Sequence, residues 1–333
     1  MHTEIPTWFI VGSFVVLLLI LAADVALAYL RPHIPSTRES AIWVSAYVGL
    51  ALVFALALYL IGSADHATEF ITGWLTEYSL SVDNLFVFVI IMGRFAVPRK
   101  YQQEVLMVGI IIALVLRGIF ILLGAQLIEN FSWIFYFFGV FLVYTAVRQW
   151  FENHQDMEQK ESKAIAFLRK RIAISEHYDG AKLRTVVNGK RVFTPILVVF
   201  VAIGTTDLIF AVDSIPAIFG ITTDPFLVFA ANVFALMGLR QLYFLLGDLI
   251  NKLVYLHYGI AFILGFIGVK LVLHALHENQ LPFINGGEGV AWAPEISTWA
   301  SLLVIVVSMA IAVVASLVKL RLDRRANAER FET

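Results

Sequence analysis

Two stretches hold the side chains best suited to chemistry: EYSLSVDNLFVF, from Glu77 to Phe88, and TTDLIFAVDSIPA, from Thr205 to Ala217. Each sets two carboxylates six residues apart within a run of Leu, Ile, Val and Phe, pairing Glu77 with Asp83 and Asp207 with Asp213. Each second acid follows Val and precedes a small polar residue, Asn84 or Ser214. An ionised carboxylate in the middle of a hydrocarbon layer costs roughly 3 kcal/mol even on mild insertion scales, so four of them point to a bound positive charge. Thr206 and Asn232 add oxygen donors to Asn84 and Ser214, and no thiolate is available because the chain contains no Cys. A hard oxygen set favours Mn²⁺, Mg²⁺ or Ca²⁺ over Zn²⁺ or Cu⁺.

The six-residue spacing poses a geometric problem. Positions six apart on a straight helix are turned by about 120°, so each pair needs a local break to converge on one ligand. Pro216 offers one, since it cannot donate to the carbonyl of Val212, beside Asp213. In the first stretch the hydroxyls of Ser79 and Ser81 compete for the backbone. The other charges within apolar runs are Asp24, Arg117, Arg240 and Lys270, leaving acids in excess of bases by an amount that suits one divalent cation. Arg117 and Arg240 read as counter-ions for the acids. Lys270 reads as a competitor with metal for Asp213, because a desolvated lysine can lose its proton. Asp24 faces either this site or water at a helix boundary. His257, His274 and His277 lie near the ends of apolar runs, where an interfacial histidine is ordinary.

The elements that must position these groups follow from composition. With 60% hydrophobic residues, 15% charged residues and a mean hydropathy of +0.83 over 333 residues, the chain cannot be a soluble domain. The absence of Cys excludes disulfides and thiol catalysis. Apolar runs predict nine membrane spans at about 8–30, 41–62, 75–93, 105–125, 131–149, 194–219, 225–246, 255–276 and 298–319. The first run lacks the basic flank of a signal peptide and is read as a retained helix. Arg31, Arg38, Arg94, Arg99, Lys100, the bases from Arg148 to Arg191, Lys252 and those from Lys319 to Arg330 all fall on one side of such a threading. The opposite loops, 63–74, 126–130, 220–224 and 277–297, hold acids but neither Lys nor Arg. That asymmetry predicts an outer N-terminus and an inner C-terminus.

Between the fifth and sixth spans, 154–174 reads as an amphipathic helix, and TVVNGKRVF reads as a hairpin turning at Asn188-Gly189. RGIFILLGAQLI at Arg117 returns as RQLYFLLGDLI at Arg240, so three spans repeat, and the threading makes the copies inverted. The chain divides into two leading spans (1–74), a first repeat (75–149), an inner loop (150–193), a second, inverted repeat (194–276), and an outer loop, last span and inner tail (277–333). Inverted repeats are typical of secondary transporters, whose substrate site lies near the midplane between the halves.

EYSLSVDNLFVF, TDLIFAVDSIPAIFGIT, DPFLVFAANVFALMGLRQLYFLL and the NGK turn before the sixth span resemble hallmarks of the TerC family of integral membrane proteins. That resemblance implies a link to tellurite resistance and, in several members, manganese export. It also implies that Glu77, Asp83, Asp207 and Asp213 handle Mn²⁺, with Asn84, Thr206, Ser214 and Asn232 as neighbours. Three functions stay open on the residues. One is an exporter of a divalent metal in a bacterial inner membrane, with protons as counter-ion and the lipid bilayer as its other partner. The second is an intramembrane aspartyl protease built on Asp83 and Asp213, and the third is a membrane scaffold in metal or tellurite stress. The exporter leads, which makes the chain a carrier and not an enzyme. No nucleotide-binding signature is visible, so an ion gradient must supply the energy, and nothing points to nucleic acid.

Overall fold

The computed structural model describes residues 5–30, 35–131, 133–151, 171–175, 177–180, 182–187, 189–246 and 254–331. Among them are nine helical segments long and apolar enough to cross a membrane. In chain order they are α1 (Thr7–Leu30), α2 (Thr37–Ile61), α3 (Ala64–Arg94), α4 (Arg99–Asn130), α5 (Ile134–Phe151), α6 (Pro195–Phe219), the pair α7 (Pro225–Leu236) and α8 (Leu239–Leu246), α9 (Leu256–His277) and α10 (Thr298–Phe331). Strands β1 (Arg184–Val187) and β2 (Lys190–Phe193) form the expected hairpin, with Val187 opposite Lys190 and Gly189 at φ +74°. The helix expected over 154–174 lies almost wholly outside the described residues. Inner and outer faces of the bundle differ as lipid requires: Leu19, Val53, Leu60 and Leu122 stand exposed, whereas Leu58, Leu85, Ile203 and Leu227 are buried.

Two expected boundaries are corrected. Residues 63–74 read as an outer loop, yet they form the first turns of α3. Ser63 caps that helix by accepting from the His66 amide, with Asp65 in the first turn, a placement that both the orphan amides and the helix dipole favour. The second correction concerns helix breaks. α6 continues through Pro216 to Phe219, so the expected break beside Asp213 does not form. The break lies in the seventh span, at Met237 (ψ 131°) and Gly238 (φ +80°), between α7 and α8. A side chain at 238 would also meet the Tyr47 ring at 2.9 Å, so conformation and space both require glycine there.

Glycines set the closest crossings. On α4, a Cβ at Gly109 would meet Ile203 at 2.9 Å and one at Gly124 would meet Phe219 at 2.8 Å, so α4 and α6 pack side by side in the same direction. α5 and α9 run antiparallel: Phe135 meets His274, Gly139 meets Gly268, and Trp150 meets Tyr258. At that crossing a Cβ on Gly139 would lie 2.8 Å from the Gly268 carbonyl oxygen, a contact with backbone that cannot swing aside. Gly139→Val is therefore expected to lower unfolding stability in detergent by about 3 kcal/mol. Gly12→Val, at a position with nothing within 4 Å, should change it by less than about 0.5 kcal/mol. Equal stability of the two variants would contradict the crossing.

Candidate functional site

The buried polar face of α3 carries Glu77, Ser81 and Asn84, spaced four and then three residues apart. The corresponding face of α6 carries Asp207 and Ser214, seven apart, with Ile203, Ala211 and Ile218 on the same stripe. Seven residues nearly complete two helical turns, so these pairs share a face without any break, unlike the six-residue pairs. Gly73, one turn before Glu77, brings three helices together: its Cβ direction meets Ala231 of α7 at 3.5 Å and Ile218 of α6 at 3.9 Å. Asn232 of α7, 1% exposed, lies beside that junction.

α4 supplies the cation. Arg117 is fully buried on the α4 face that also bears Gly109, Ala113, Ile121 and Gly124. Its Nη1 contacts Glu77 Oε1, and its Nη2 lies 3.4 Å from Asp207 Oδ1. One guanidinium thus joins carboxylates from two spans distant in sequence. Each acid keeps a second oxygen, Glu77 Oε2 and Asp207 Oδ2, that is buried without a hydrogen-bond partner. The hydroxyls of Ser81 and Ser214 and both amide atoms of Asn232 are in the same condition. Buried polar atoms are nearly always satisfied, so this concentration of bare oxygens on α3, α6 and α7 marks a place able to coordinate a hard cation.

Asp213 and Asp24 have partners of their own. Asp213 is half-buried and turned to α5, where Thr145 Oγ1 donates to its Oδ1 at 3.3 Å. Thr206 is half-buried on the turn that bears Asp207. Asp83 lies within α3, and its side chain is outside the described residues. The protease reading needs Asp83 and Asp213 to share a proton, a geometry that falls on a side chain outside the described residues. Asp24 binds Arg240 Nη2 at 2.8 Å and accepts from Tyr47 at 2.8 Å and Gln241 at 3.4 Å, so these residues form a separate cluster of α1, α2 and α8.

Lys270 is not beside Asp213. It lines a cavity of about 420 Å³ together with His66, Glu69, Thr222 and His274, past the C-terminal end of α6. Ile267 and Leu271, which flank Lys270, pack against Gly220, seven residues beyond Asp213 and so about 10 Å along the axis. Glu69 accepts from Thr222 Oγ1 at 2.7 Å on the wall of this cavity. Sequence reasoning missed Glu69 as a helical residue and missed Ser81 as a buried site hydroxyl. Their four- and eight-residue spacing from Glu77 on one helix was the available signal.

The model of the Integral membrane protein TerC family matches residues 62–324. The chain belongs to the TerC family. An uncharacterized membrane protein of Mycobacterium tuberculosis is 47% identical over 301 residues, covering 89% of this chain and 76% of that protein. One from Myxococcus xanthus is 36% identical over 310 residues, 93% and 92% of the two chains. An Escherichia coli protein provisionally named membrane-bound redox modulator Alx is 38% identical over 271 residues, 79% and 84% of the two chains. No solved structure matches. The TerC match spans α3 to α10 and so includes the Glu77–Arg117–Asp207 cluster.

Within this TerC protein the two charge clusters differ in burial, and so in what breaking them costs. Removing one partner of a fully buried pair strands the other, so Glu77→Gln is expected to lower unfolding stability by about 3 kcal/mol. Asp24, whose side chain is 25% exposed, should cost about 1 kcal/mol as Asp24→Asn. Denaturant titration in detergent compares them, and a larger loss at Asp24 would contradict the central position of the Arg117 cluster.

Proposed function

We propose that this chain is a secondary transporter exporting a divalent metal, Mn²⁺, across the bacterial inner membrane. Alternating access would operate between two inverted repeats, 75–149 and 194–276, with the leading spans, the inner loop and the last span packed around them. The observation that carries this reading is the meeting of Glu77 and Asp207, the equivalent acids of the two repeats, at one interior guanidinium. Glu77 and Asp207 each keep a bare oxygen at that meeting, and Ser81, Ser214 and Asn232 add further bare buried oxygens on the same three helices, donors suited to a hard divalent ion.

Contacts between equivalent spans support the inversion. Glu69 bonds Thr222 and Gly73 meets Ile218, so α3 and α6 run antiparallel, as α5 and α9 do. Tyr178 of the inner loop donates to the Phe95 carbonyl at 2.6 Å, so the basic loop and the basic α3–α4 turn share one side, as the positive-inside rule asks. Export as the direction, and manganese among hard divalents, are what the resemblance to the family implies. Carboxylates released from metal accept protons, which makes proton exchange the natural coupling. The name of the Escherichia coli relative brings a redox role into view; without Cys, this chain has no thiol to exchange, and metal supply is the route by which it would affect redox state.

The test is uptake of radiolabelled Mn²⁺ into inside-out vesicles. Asp207→Asn is expected to lower the rate by about tenfold or more, with lumenal pH shifting in step with flux in the unaltered protein. Undiminished Mn²⁺ flux in Asp207→Asn would sink the site.

A further inference from the structure

We propose that Arg117 is a tethered stand-in for the cargo: its guanidinium competes with the metal for Glu77 and Asp207, and this lets the cargo-free carrier change orientation. The proposal rests on the transport reading above and adds to it a coupling rule and the residue that sets it.

Three observations carry it. The first is position, because Arg117 engages the same two carboxylates, one from each repeat, that a shared ion would need. The second is incomplete saturation. A guanidinium that served only to neutralise two buried acids would satisfy their oxygens, since its planar fork matches carboxylate geometry in a bidentate way. Here each acid meets Arg117 through one oxygen and keeps the other bare, Oε2 of Glu77 and Oδ2 of Asp207, so both acids present a coordinating oxygen beside the arginine. The third is the asymmetry with Arg240, the repeat equivalent of Arg117. Arg240 is bound by Asp24 at 2.8 Å, and Asp24 is fixed by Tyr47 and Gln241. The second arginine is thereby held on the α1 flank, and among the described residues one tethered cation serves the centre.

The physical consequence concerns the return step. Two carboxylates without compensation in a water-poor interior repel each other and resist any conformation that closes both mouths. A divalent ion removes that penalty in the loaded form; in the cargo-free form the bridging guanidinium offsets one of the two negative charges and an exchanged proton offsets the other. Arg117 therefore sets the balance between net export and exchange. It also lowers the apparent affinity for metal, because a binding ion must displace it.

The experiment uses the full chain, purified in detergent for Mn²⁺ binding and reconstituted in vesicles for flux. In Arg117→Gln, Mn²⁺ affinity is expected to rise about tenfold, because the competitor is gone. Net Mn²⁺ efflux into metal-free buffer is expected to fall about tenfold relative to Mn²⁺-for-Mn²⁺ exchange, which persists. Arg117→Lys keeps the charge but loses the fork, and should shift both quantities the same way by about threefold, which decides the matter if the Gln variant does not fold. Affinity that is unchanged or weaker, or net efflux and exchange falling together, overturns the proposal. Unaltered protein that binds and moves no Mn²⁺ overturns the transport reading as well. If flux is lost in Asp207→Asn while Arg117→Gln binds like the unaltered protein, only the stand-in role is overturned.

Discussion

A guanidinium with no access to solvent, held between carboxylates of two different spans, is the constraint to which the surrounding helices answer. Each of these charges is costly to remove from water, and the costs offset only while all three keep their positions. Sliding α3, α4 or α6 by one turn would move a charge about 5 Å into apolar packing and leave its partners bare. The cluster therefore fixes the register of three helices. Steric contacts fix it again: Gly109 and Gly124 press α4 onto Ile203 and Phe219 of α6 at points eight and seven residues on either side of Arg117.

On the repeat reading the two halves differ in detail, and the differences gather around the arginines. α4 is continuous from Arg99 to Asn130, whereas its counterpart breaks at Met237–Gly238, two residues before Arg240. Gly238 turns the chain against Tyr47, and the following helix presents Arg240 to Asp24. The leading spans thus do more than lie against the repeats, since α1 and α2 supply the groups that hold the second arginine. Such a break frees carbonyls of the preceding turn, and irregular backbone at this depth is tolerated only where protein or a cavity covers it. A cavity of about 250 Å³ lined by Leu236, Met237, Gly238, Arg240 and Asp24 lies at this point.

What the sequence made legible and what it hid divide along physical lines. Span number came through because a hydrocarbon layer imposes length and apolarity on every crossing helix, and neither depends on neighbours. The start of α3 did not, because Asp65 and Glu69 look like loop residues; their place in a helix becomes intelligible only beside Ser63 as cap and Thr222 as partner. The break at Gly238 was hidden in an unbroken apolar run, while Pro216, the obvious candidate, is accommodated near the end of α6. Lys270 and Asp213 were linked by charge alone, and only packing could separate them along the axis. In the site itself, the conspicuous signal in the sequence is like residues six apart. Helical geometry instead joins unlike residues seven apart, Glu77 with Asn84 and Asp207 with Ser214.

That change from six to seven alters the chemistry on the transport reading. A cage of four carboxylates would hold a divalent ion with a net negative charge to spare and would release it slowly. Stripes that mix acids with neutral oxygens bring, among the described residues, the carboxylates of Glu77 and Asp207, the hydroxyls of Ser81 and Ser214, and amide oxygens from Asn84 and Asn232. Two negative charges match a doubly positive ion, and neutral oxygens complete its shell without deepening the well. Arg117 beside that set makes the well shallower, which suits a carrier, since an ion bound too tightly cannot leave. Asp213, half-buried against Thr145 and turned about 120° from Asp207, is on the same reading a group that can hold a proton or a second charge beside that set.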